Sequence, residues 1–407
     1  MSLFKDKPFP WMGLMDEILK FRKYFLSTYA IILIFGVIMV FSASYIFAGE
    51  TYGSPTYFIL RQLIFIGVGV VASLIIGNTK LTFWLKYSYH IGLFFLLLLF
   101  LTFIPGVGLN VKGAHRWISA GFFSIQPGEF VKFSTLLLSI YFFENFAKLD
   151  VLERTKYAIS LFLPLLLLLF QPDFGSFSIC FVLLVFVCFM SSFPRKYFYG
   201  IAVSAFVSMS FIMILEPYRV RRLLAFLDPW KNPKTSGFQI IQSYLAFANG
   251  GVFGLGLGNS NEKLFYLPEA HNDFIFSVIG EELGLFGVVA VVALFMALIY
   301  FGLRLSLALR TKSASLTVSS IVFALGLQVF VNMAVVLGLL PTKGLNLPLI
   351  SYGGSSILAN FMALGIIFSS IKQSEELVVG GREYLDSQNK RQATSHFSSK
   401  IGHISNF

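Results

Sequence analysis

The stretch LPEAHNDFIF, residues 267–276, sets ionisable side chains directly against an apolar run. Glu269, His271 and Asp273 alternate along the chain immediately before Phe274, where the apolar residues begin. Carboxylates and imidazoles are common proton-transfer groups in enzymes. The three groups are too few and too closely spaced to predict a metal cluster, and for His271 a hydrogen-bonding or packing role is favoured over a ligand role. The stretch is a candidate for proton-transfer chemistry.

A second pair of charges lies in SIQPGEFVKF, residues 124–133. Pro127 suits the first turn of a helix, and Glu129 and Lys132 are three residues apart, which places them on one helix face. Ionisable residues inside an apolar span are costly and by default mark a functional site. Each of the two is the first candidate partner of the other. A purely structural ion pair is the alternative.

Other polar features have equally plausible structural explanations. QPDFG, residues 171–175, is typical of a tight turn in which Asp173 caps the next helix. Glu281 and Glu282 follow Asp273 on the same predicted helix, where they serve either a site or helix pairing. The glycines of NGGVFGLGLG, residues 249–258, resemble a phosphate-binding loop. However, they lack a P-loop Gly-Lys-Ser/Thr and a preceding strand, and close backbone packing explains them equally well.

The composition indicates which elements must position these residues. Hydrophobic residues make up 56% of the 407-residue chain and charged residues only 13%, which excludes an ordinary soluble domain. Apolar segments long enough to cross a hydrocarbon core of roughly 30 Å recur along the chain. The sequence predicts an all-α polytopic membrane protein, whose ten transmembrane helices lie at residues 25–47, 57–77, 83–104, 128–147, 154–171, 174–193, 196–216, 276–303, 315–339 and 347–371.

The distribution of Lys and Arg predicts the orientation of these spans. Basic residues in alternate short loops mark one side as cytoplasmic, which places both termini there. Residues 1–23 form a cytoplasmic amino-terminal segment, residues 24–372 the membrane domain, and residues 217–271 a large extracytoplasmic loop between helices 7 and 8. The tail, residues 373–407, lacks an apolar face and is predicted to be disordered. Cys180 and Cys188, about 12 Å apart on one helix, cannot form a disulfide.

Two outer loops carry more cations than this pattern requires. The loop 105–127 contains Arg116, and the loop 217–271 contains Arg219, Arg221, Arg222, Lys231, Lys234 and Lys263. Cations beside a bilayer suit an anionic substrate or an anionic lipid headgroup. Alternatively, these loops are simply solvated, since Lys and Arg also reach interfaces without a ligand.

A set of motifs in order along the chain resembles a known family. HRWI, QPGEFVK, QPDFG, FLDPW, GLGLGNSNEKLFYLPEAHNDFIFSVIGEELG and LLPTKGLNLPLISYGGSS are similar to the shape, elongation, division and sporulation (SEDS) family, which includes FtsW, RodA and SpoVE. LFYLPEAH and the SYGGSS motif resemble the FtsW and SpoVE branch more than the elongation branch, and FtsW is favoured. The resemblance covers all ten predicted spans.

The resemblance implies a peptidoglycan glycosyltransferase that polymerises lipid II during cell division and releases undecaprenyl pyrophosphate. The essential aspartate of the family's His-Thr-Asp-Phe stretch falls on Asp273, with Asn272 in place of the usual Thr. The family's QPxEFxK residues fall on Glu129 and Lys132, and its SYGGSS serine falls on Ser351. The residues expected to bind the substrate are Glu129, Lys132, Ser351, Arg116, Arg219, Arg221, Arg222 and His271.

The chemistry implied needs one carboxylate. Asp273 is expected to act as the general base that takes a proton from the attacking sugar hydroxyl, and partial desolvation would make it a stronger base. Because the pyrophosphate leaves as a stable anion, no general acid is required, and fixed cations would stabilise its growing charge. The family resemblance suggests that a divalent cation, Mg²⁺, shares that task, although no metal ligand set is predicted.

The resemblance also implies partners and a location. The expected partners are a class B penicillin-binding transpeptidase and other divisome proteins, and no nucleic acid is expected to bind. The expected location is the bacterial cytoplasmic (inner) membrane at the division septum. Two other functions stay open. A lipid II flippase or other transporter would also have many spans with charges inside them, and a divisome scaffold would need no chemistry at all.

Overall fold

The computed structural model describes residues 10–111, 114–121, 123–201, 203, 207, 226–234, 237–264 and 267–404. Most of the seventh predicted span and all three of Arg219, Arg221 and Arg222 lie outside these residues. The described residues form α1 Pro10–Tyr52, α2 Tyr57–Gly77, α3 Leu81–Lys86, α4 Ser88–Leu101, β1 Gly108–Val111, β2 Ala114–Ala120, β3 Phe123–Ile125, α5 Pro127–Asn145, α6 Val151–Phe170, α7 Phe174–Met190, a 3-10 turn Pro229–Lys231, α8 Phe238–Gly250, α9 Ile275–Ala308, α10 Lys312–Val336 and α11 Gly354–Ile404.

Helices occupy nine of the ten predicted span positions, and residues 196–201 at the start of the seventh are also helical. Among the described residues, five helices contain a segment that is long and apolar enough to cross a membrane, namely α1, α2, α9, α10 and α11. Helices α4 and α7 are apolar but shorter. The third predicted span is divided at Tyr87 into α3 and α4. The protein is therefore a helical, multi-span membrane protein, while the count of ten and the orientation stay predictions.

Helix α5 lies at the centre of the bundle. Almost every residue from Pro127 to Phe143 is buried, including the charged Glu129 and Lys132. Around it, α11 packs along α2, α1 packs on α9, and α9 packs on α8 and α10. A helix surrounded on all sides must be apolar or carry paired polar groups. This explains why its two charges lie three residues apart.

A small sheet departs from the all-α prediction. Strands β1, β2 and β3 form a three-stranded antiparallel sheet in that order, with Leu109 opposite Trp117 and Ile118 opposite Ile125. The sheet lies in the loop 105–127, between α4 and α5. Short strands give weak sequence patterns, and here the strands satisfy their backbone groups by pairing with each other.

The carboxyl-terminal segment also differs from its prediction. Helix α11 continues to Ile404, through most of residues 373–407, for which disorder is predicted. Ser374 and Val378 are buried, and Arg22 of α1 donates a hydrogen bond of 3.0 Å to Glu375. Composition alone cannot reveal this packing against α1, which supports the start of the segment.

Candidate functional site

Asp273 is the second-last residue before α9, in a turn whose backbone is held by two other parts of the chain. The carbonyl of His271 accepts from the backbone N–H of Tyr352 at 3.0 Å, and that of Asn272 accepts from the hydroxyl of Ser351 at 2.7 Å. The carbonyl of Asp273 itself accepts from the side-chain amide of Asn332 at 2.9 Å. Three consecutive carbonyls are thus anchored, and the backbone that carries the candidate base is fixed.

The segment that anchors this turn is the irregular connection 337–353 between α10 and α11. Leu347, Leu349 and Ile350 are at most 1% exposed, so this non-helical backbone is buried in protein. Gln62 of α2 donates to the carbonyl of Ser351 at 3.2 Å and accepts from the N–H of Gly353 at 3.3 Å. Side-chain amides therefore replace the hydrogen bonds that a helix would make.

Ser351, expected to bind substrate, serves this connection internally. Its hydroxyl donates to the carbonyl of Asn272 and accepts from the N–H of Leu347 at 2.8 Å, and the residue is 3% exposed. Both contacts hold the turn that carries Asp273. The structure therefore gives the SYGGSS serine a positioning contact behind the candidate base.

The carboxylate of Asp273 lies beside Gly344. A methyl group built on Gly344 would come within 3.0 Å of the carboxylate oxygen Oδ2, so the absence of a side chain lets the acid approach the loop closely. Lys343, the neighbouring residue, brings a cation onto the same loop, and its ammonium lies 4.3 Å from the ring centre of Phe174. Lys343 is not among the site residues expected from the sequence, although it lies in the LLPTKG motif.

His271 is packed in an aromatic environment. Its ring centre lies 4.5 Å from that of Phe58, 5.5 Å from that of Phe47 and 6.0 Å from that of Tyr352. Burial lowers the pKa of His271 to about 4, although the nearby Glu269 opposes the shift. The imidazole is therefore neutral at pH 7. These contacts support the packing role that the sequence favours.

Glu129 and Lys132 form the ion pair that their spacing predicts. The ammonium of Lys132 donates to Glu129 and to Gln328 of α10, each at 2.9 Å. Gln328 in turn donates to the carbonyl of Asn346 at 3.0 Å. The pair lines one side of an otherwise largely apolar cavity, whose walls include Phe25 of α1. A polar chain thus links the centre of the bundle to the connection beside Asp273.

Arg116 holds a different turn. It lies on β2, and its guanidinium donates to the carbonyls of Gln171 at 3.3 Å and of Pro172. The next residue, Asp173, accepts from the N–H of Ser176 at 3.2 Å and caps α7, which confirms the predicted cap. Arg116 therefore attaches the three-stranded sheet to the start of α7.

Glu281 and Glu282 attach the loop that precedes α9 to the bundle. Both are fully buried. Glu282 accepts from Ser42 of α1 at 2.6 Å and from Lys263 at 2.8 Å. Glu281 accepts from the hydroxyl of Ser260 and from the backbone N–H of Asn261 at 3.1 Å. The two acids join a loop to a helix, and Glu282 also pairs α9 with α1 through Ser42.

The glycines of the same loop serve close backbone packing. Gly254 has φ +79°, and a methyl group there would lie 2.2 Å from the carbonyl oxygen of Glu282. The carbonyls of Glu281 and Glu282 accept from the N–H groups of Leu255 at 3.0 Å and Gly256 at 2.9 Å. Helix α9 is interrupted here at Gly284, with φ 64°. The N–H groups of the loop donate to helix carbonyls beside this interruption. These contacts favour close backbone packing over a phosphate-binding loop.

The comparisons with known proteins agree over most of the chain. The "Cell cycle protein" family model of FtsW, RodA and SpoVE matches residues 22–376. A protein named "Probable peptidoglycan glycosyltransferase FtsW" from Geobacter metallireducens is 42% identical over 338 residues, covering 82% of this chain and 90% of that protein. Its counterpart of the same name from Coxiella burnetii is 39% identical over 355 residues, covering 84% and 94%.

Solved structures share the fold. A chain from the structure described as "Structural coordination of polymerization and crosslinking by a peptidoglycan synthase complex" has a TM-score of 0.65 and 29% identity, covering 84% of this chain and 97% of that chain. The crystal structure of the rod shape determining protein RodA of Thermus thermophilus has a TM-score of 0.62 and 25% identity, covering 86% and 96%. The match of the family model, the sequence relatives and the shared fold establish that this chain belongs to the FtsW, RodA and SpoVE family.

Proposed function

We propose that the protein is a peptidoglycan glycosyltransferase that polymerises lipid II during cell division, with Asp273 as the general base. The observation that carries the assignment of the base is the anchoring of three consecutive carbonyls, which fixes a carboxylate at the start of a membrane helix. The sequence relatives, each named a peptidoglycan glycosyltransferase, support the activity. A rigid base is what a reaction between two large, flexible substrates requires.

The proposed reaction transfers one sugar with inversion. Asp273 accepts the proton of the 4-hydroxyl of the acceptor's N-acetylglucosamine while that oxygen attacks C1 of the donor's N-acetylmuramic acid. The bond from C1 to the pyrophosphate oxygen breaks, and undecaprenyl pyrophosphate leaves with the electron pair. The proton then passes to solvent. One carboxylate is sufficient because the leaving group needs no protonation.

Cations are proposed to stabilise the departing pyrophosphate. Lys343 lies on the loop that faces Asp273, and Arg116 and Lys132 lie on neighbouring elements. Arg219, Arg221 and Arg222 remain candidates from the sequence. Within the described ranges, no group of three or more His, Cys, Asp and Glu side chains is placed to hold a metal ion. Mg²⁺ is usually bound through one or two carboxylates together with substrate phosphates, so a divalent cation that binds with the pyrophosphate stays part of the proposal, and no step is assigned to it.

The substrate determines the proposed setting. Its polyprenyl tail lies in the bilayer while its sugars and pyrophosphate lie outside, so a carboxylate at the edge of a membrane helix meets the reacting sugars. The protein is proposed to span the bacterial cytoplasmic membrane ten times, with both termini in the cytoplasm, at the septum. The similar chain in a peptidoglycan synthase complex supports a class B penicillin-binding transpeptidase as partner, together with other divisome proteins.

The test is polymerisation of labelled lipid II by the purified full-length protein in detergent, alone and with its transpeptidase. Wild type should form polymer and Asp273→Asn none. Asp150→Asn is a matched control, because Asp150 caps α6 at the opposite end of the bundle and asparagine also caps helices. A transporter or a scaffold would form no polymer even as wild type. Robust polymer from Asp273→Asn would remove the assignment of the base.

A further inference from the structure

Asn332 is a buried residue of α10 that contacts the backbone of two separate outer segments. Its side-chain nitrogen donates to the carbonyl of Asp273 at 2.9 Å and to the carbonyl of Leu345 at 2.6 Å. A primary amide has two N–H donors, and both are used here. One side chain thus joins the turn that carries the candidate base to the loop that faces it.

The orientation of this amide follows from its acceptors. Both contacts are to carbonyl oxygens, which can only accept, so the nitrogen of Asn332 must face them. The amide oxygen has no hydrogen-bond donor among the described residues. A buried acceptor without a donor is unfavourable. The amide nevertheless keeps this orientation, in which its two donated hydrogen bonds hold the two segments in a fixed relative position.

The two segments define the surroundings of the carboxylate. The anchored carbonyl carbon of Asp273 is bonded to the α-carbon that carries its side chain, so anchoring it limits where the acid can point. Leu345 follows Gly344, which admits the carboxylate oxygen. A displacement of either segment would therefore change the distance between the base and the loop beside it.

Gln328 repeats this contact one turn earlier on α10. It donates to the carbonyl of Asn346 at 3.0 Å, and residues four apart lie on the same face of a helix. Asn332 and Gln328 together hold consecutive carbonyls of the connection that precedes α11. Of the two, Asn332 also reaches the candidate base.

We propose that Asn332 is a positioning residue for the glycosyl transfer, which sets the carboxylate of Asp273 against the loop around Gly344. This inference rests on the proposed function of Asp273. Asn332 is 2% exposed, so it acts through Asp273 without touching the substrate. Its loss should lower the rate of the chemical step and leave substrate binding unchanged.

The test compares Asn332→Leu with wild type in the full-length protein, assayed with its transpeptidase. Leucine has a similar size and removes both donors. We expect kcat for lipid II polymerisation to fall about 10- to 100-fold, the effect typical of a misplacement of roughly 1 Å, while KM stays within about twofold. Thermal stability should fall modestly, because leucine leaves the carbonyls of Asp273 and Leu345 without this donor, so activity is compared at a temperature at which both proteins remain folded.

Thr317→Val is the matched control on the same helix. Thr317 is fully buried and donates to the carbonyl of Ser313 within α10 at 2.7 Å. The substitution removes a buried donor without touching either outer segment, and kcat should not change. If Asn332→Leu cannot be purified as a monodisperse protein, Asn332→Met replaces it, because its flexible unbranched side chain also lacks a donor and adapts to the space.

Two results would overturn the inference. A wild-type kcat in Asn332→Leu, with Asp273→Asn inactive, would show that the base needs no such anchor and would leave the proposed function intact. A fall in thermal stability that accounts for the lost activity would assign Asn332 a merely structural role. By contrast, an active Asp273→Asn would refute the base assignment and with it the inference, so the two failures are distinguishable.

Discussion

The ammonium of Lys263 lies 2.8 Å from the carboxylate of Glu282, and neither side chain is more than 1% exposed. Lys263 belongs to the loop that precedes α9, and Glu282 belongs to α9 nine residues after Asp273. Ser42 of α1 donates to the same carboxylate. A single buried acid therefore joins the loop, α9 and α1 behind the candidate site.

We expect Lys263→Met to destabilise the protein by about 3–5 kcal/mol, because it leaves Glu282 buried without its cation. Thermal or denaturant unfolding of the purified protein in detergent measures the loss. Lys80→Met is the control, since Lys80 lies 3.8 Å from Glu376 in an exposed pair, and such pairs contribute about 0–1 kcal/mol. Lys263→Met combined with Glu282→Gln should recover part of the loss. If Lys263→Met and Lys80→Met lost the same free energy of unfolding, this account would be contradicted.

A pH dependence follows from His271. The folded protein holds its pKa at about 4, below the ordinary value of 6.5, so the unfolded chain binds the proton more tightly. The neutral imidazole thus contributes stability that is complete above pH 6.5 and is lost as the pH falls towards 4. His271→Phe should keep the aromatic packing and remove this acid-sensitive part. Melting temperatures of both proteins from pH 4 to pH 7.5 measure the difference, and parallel curves would refute it.

The close approach of Asp273 to Gly344 predicts the effect of adding one methyl group. In Gly344→Ala, the new carbon would meet the carboxylate oxygen at 3.0 Å and displace it. We expect polymerisation to fall by about tenfold or more without loss of folding. Gly67→Ala is the control, because nothing lies within 4 Å of its added carbon and alanine is the better helix former. Full activity of Gly344→Ala would show that the carboxylate does not act from this position.

Much of the architecture could be predicted from the sequence, because the length of an apolar run is a local property. The second predicted span, residues 57–77, has the same bounds as α2, and the Glu129–Lys132 contact and the Asp173 cap both depend on residues three apart. The sheet at residues 108–125 and the helical start of the carboxyl-terminal segment were missed. Both depend on pairing or packing with other parts of the chain, which local patterns do not record.

The sequence by itself determined that this is a membrane protein of the FtsW, RodA and SpoVE family and which carboxylate to consider first, because spans and motifs are written in contiguous residues. Only the tertiary structure decided what holds that carboxylate in place. Asn332 and Ser351 lie 59 and 79 residues from the carbonyls of Asp273 and Asn272 that they anchor. Hydrogen bonds over such separations depend on how the helices pack together, and no local pattern of residues specifies that packing.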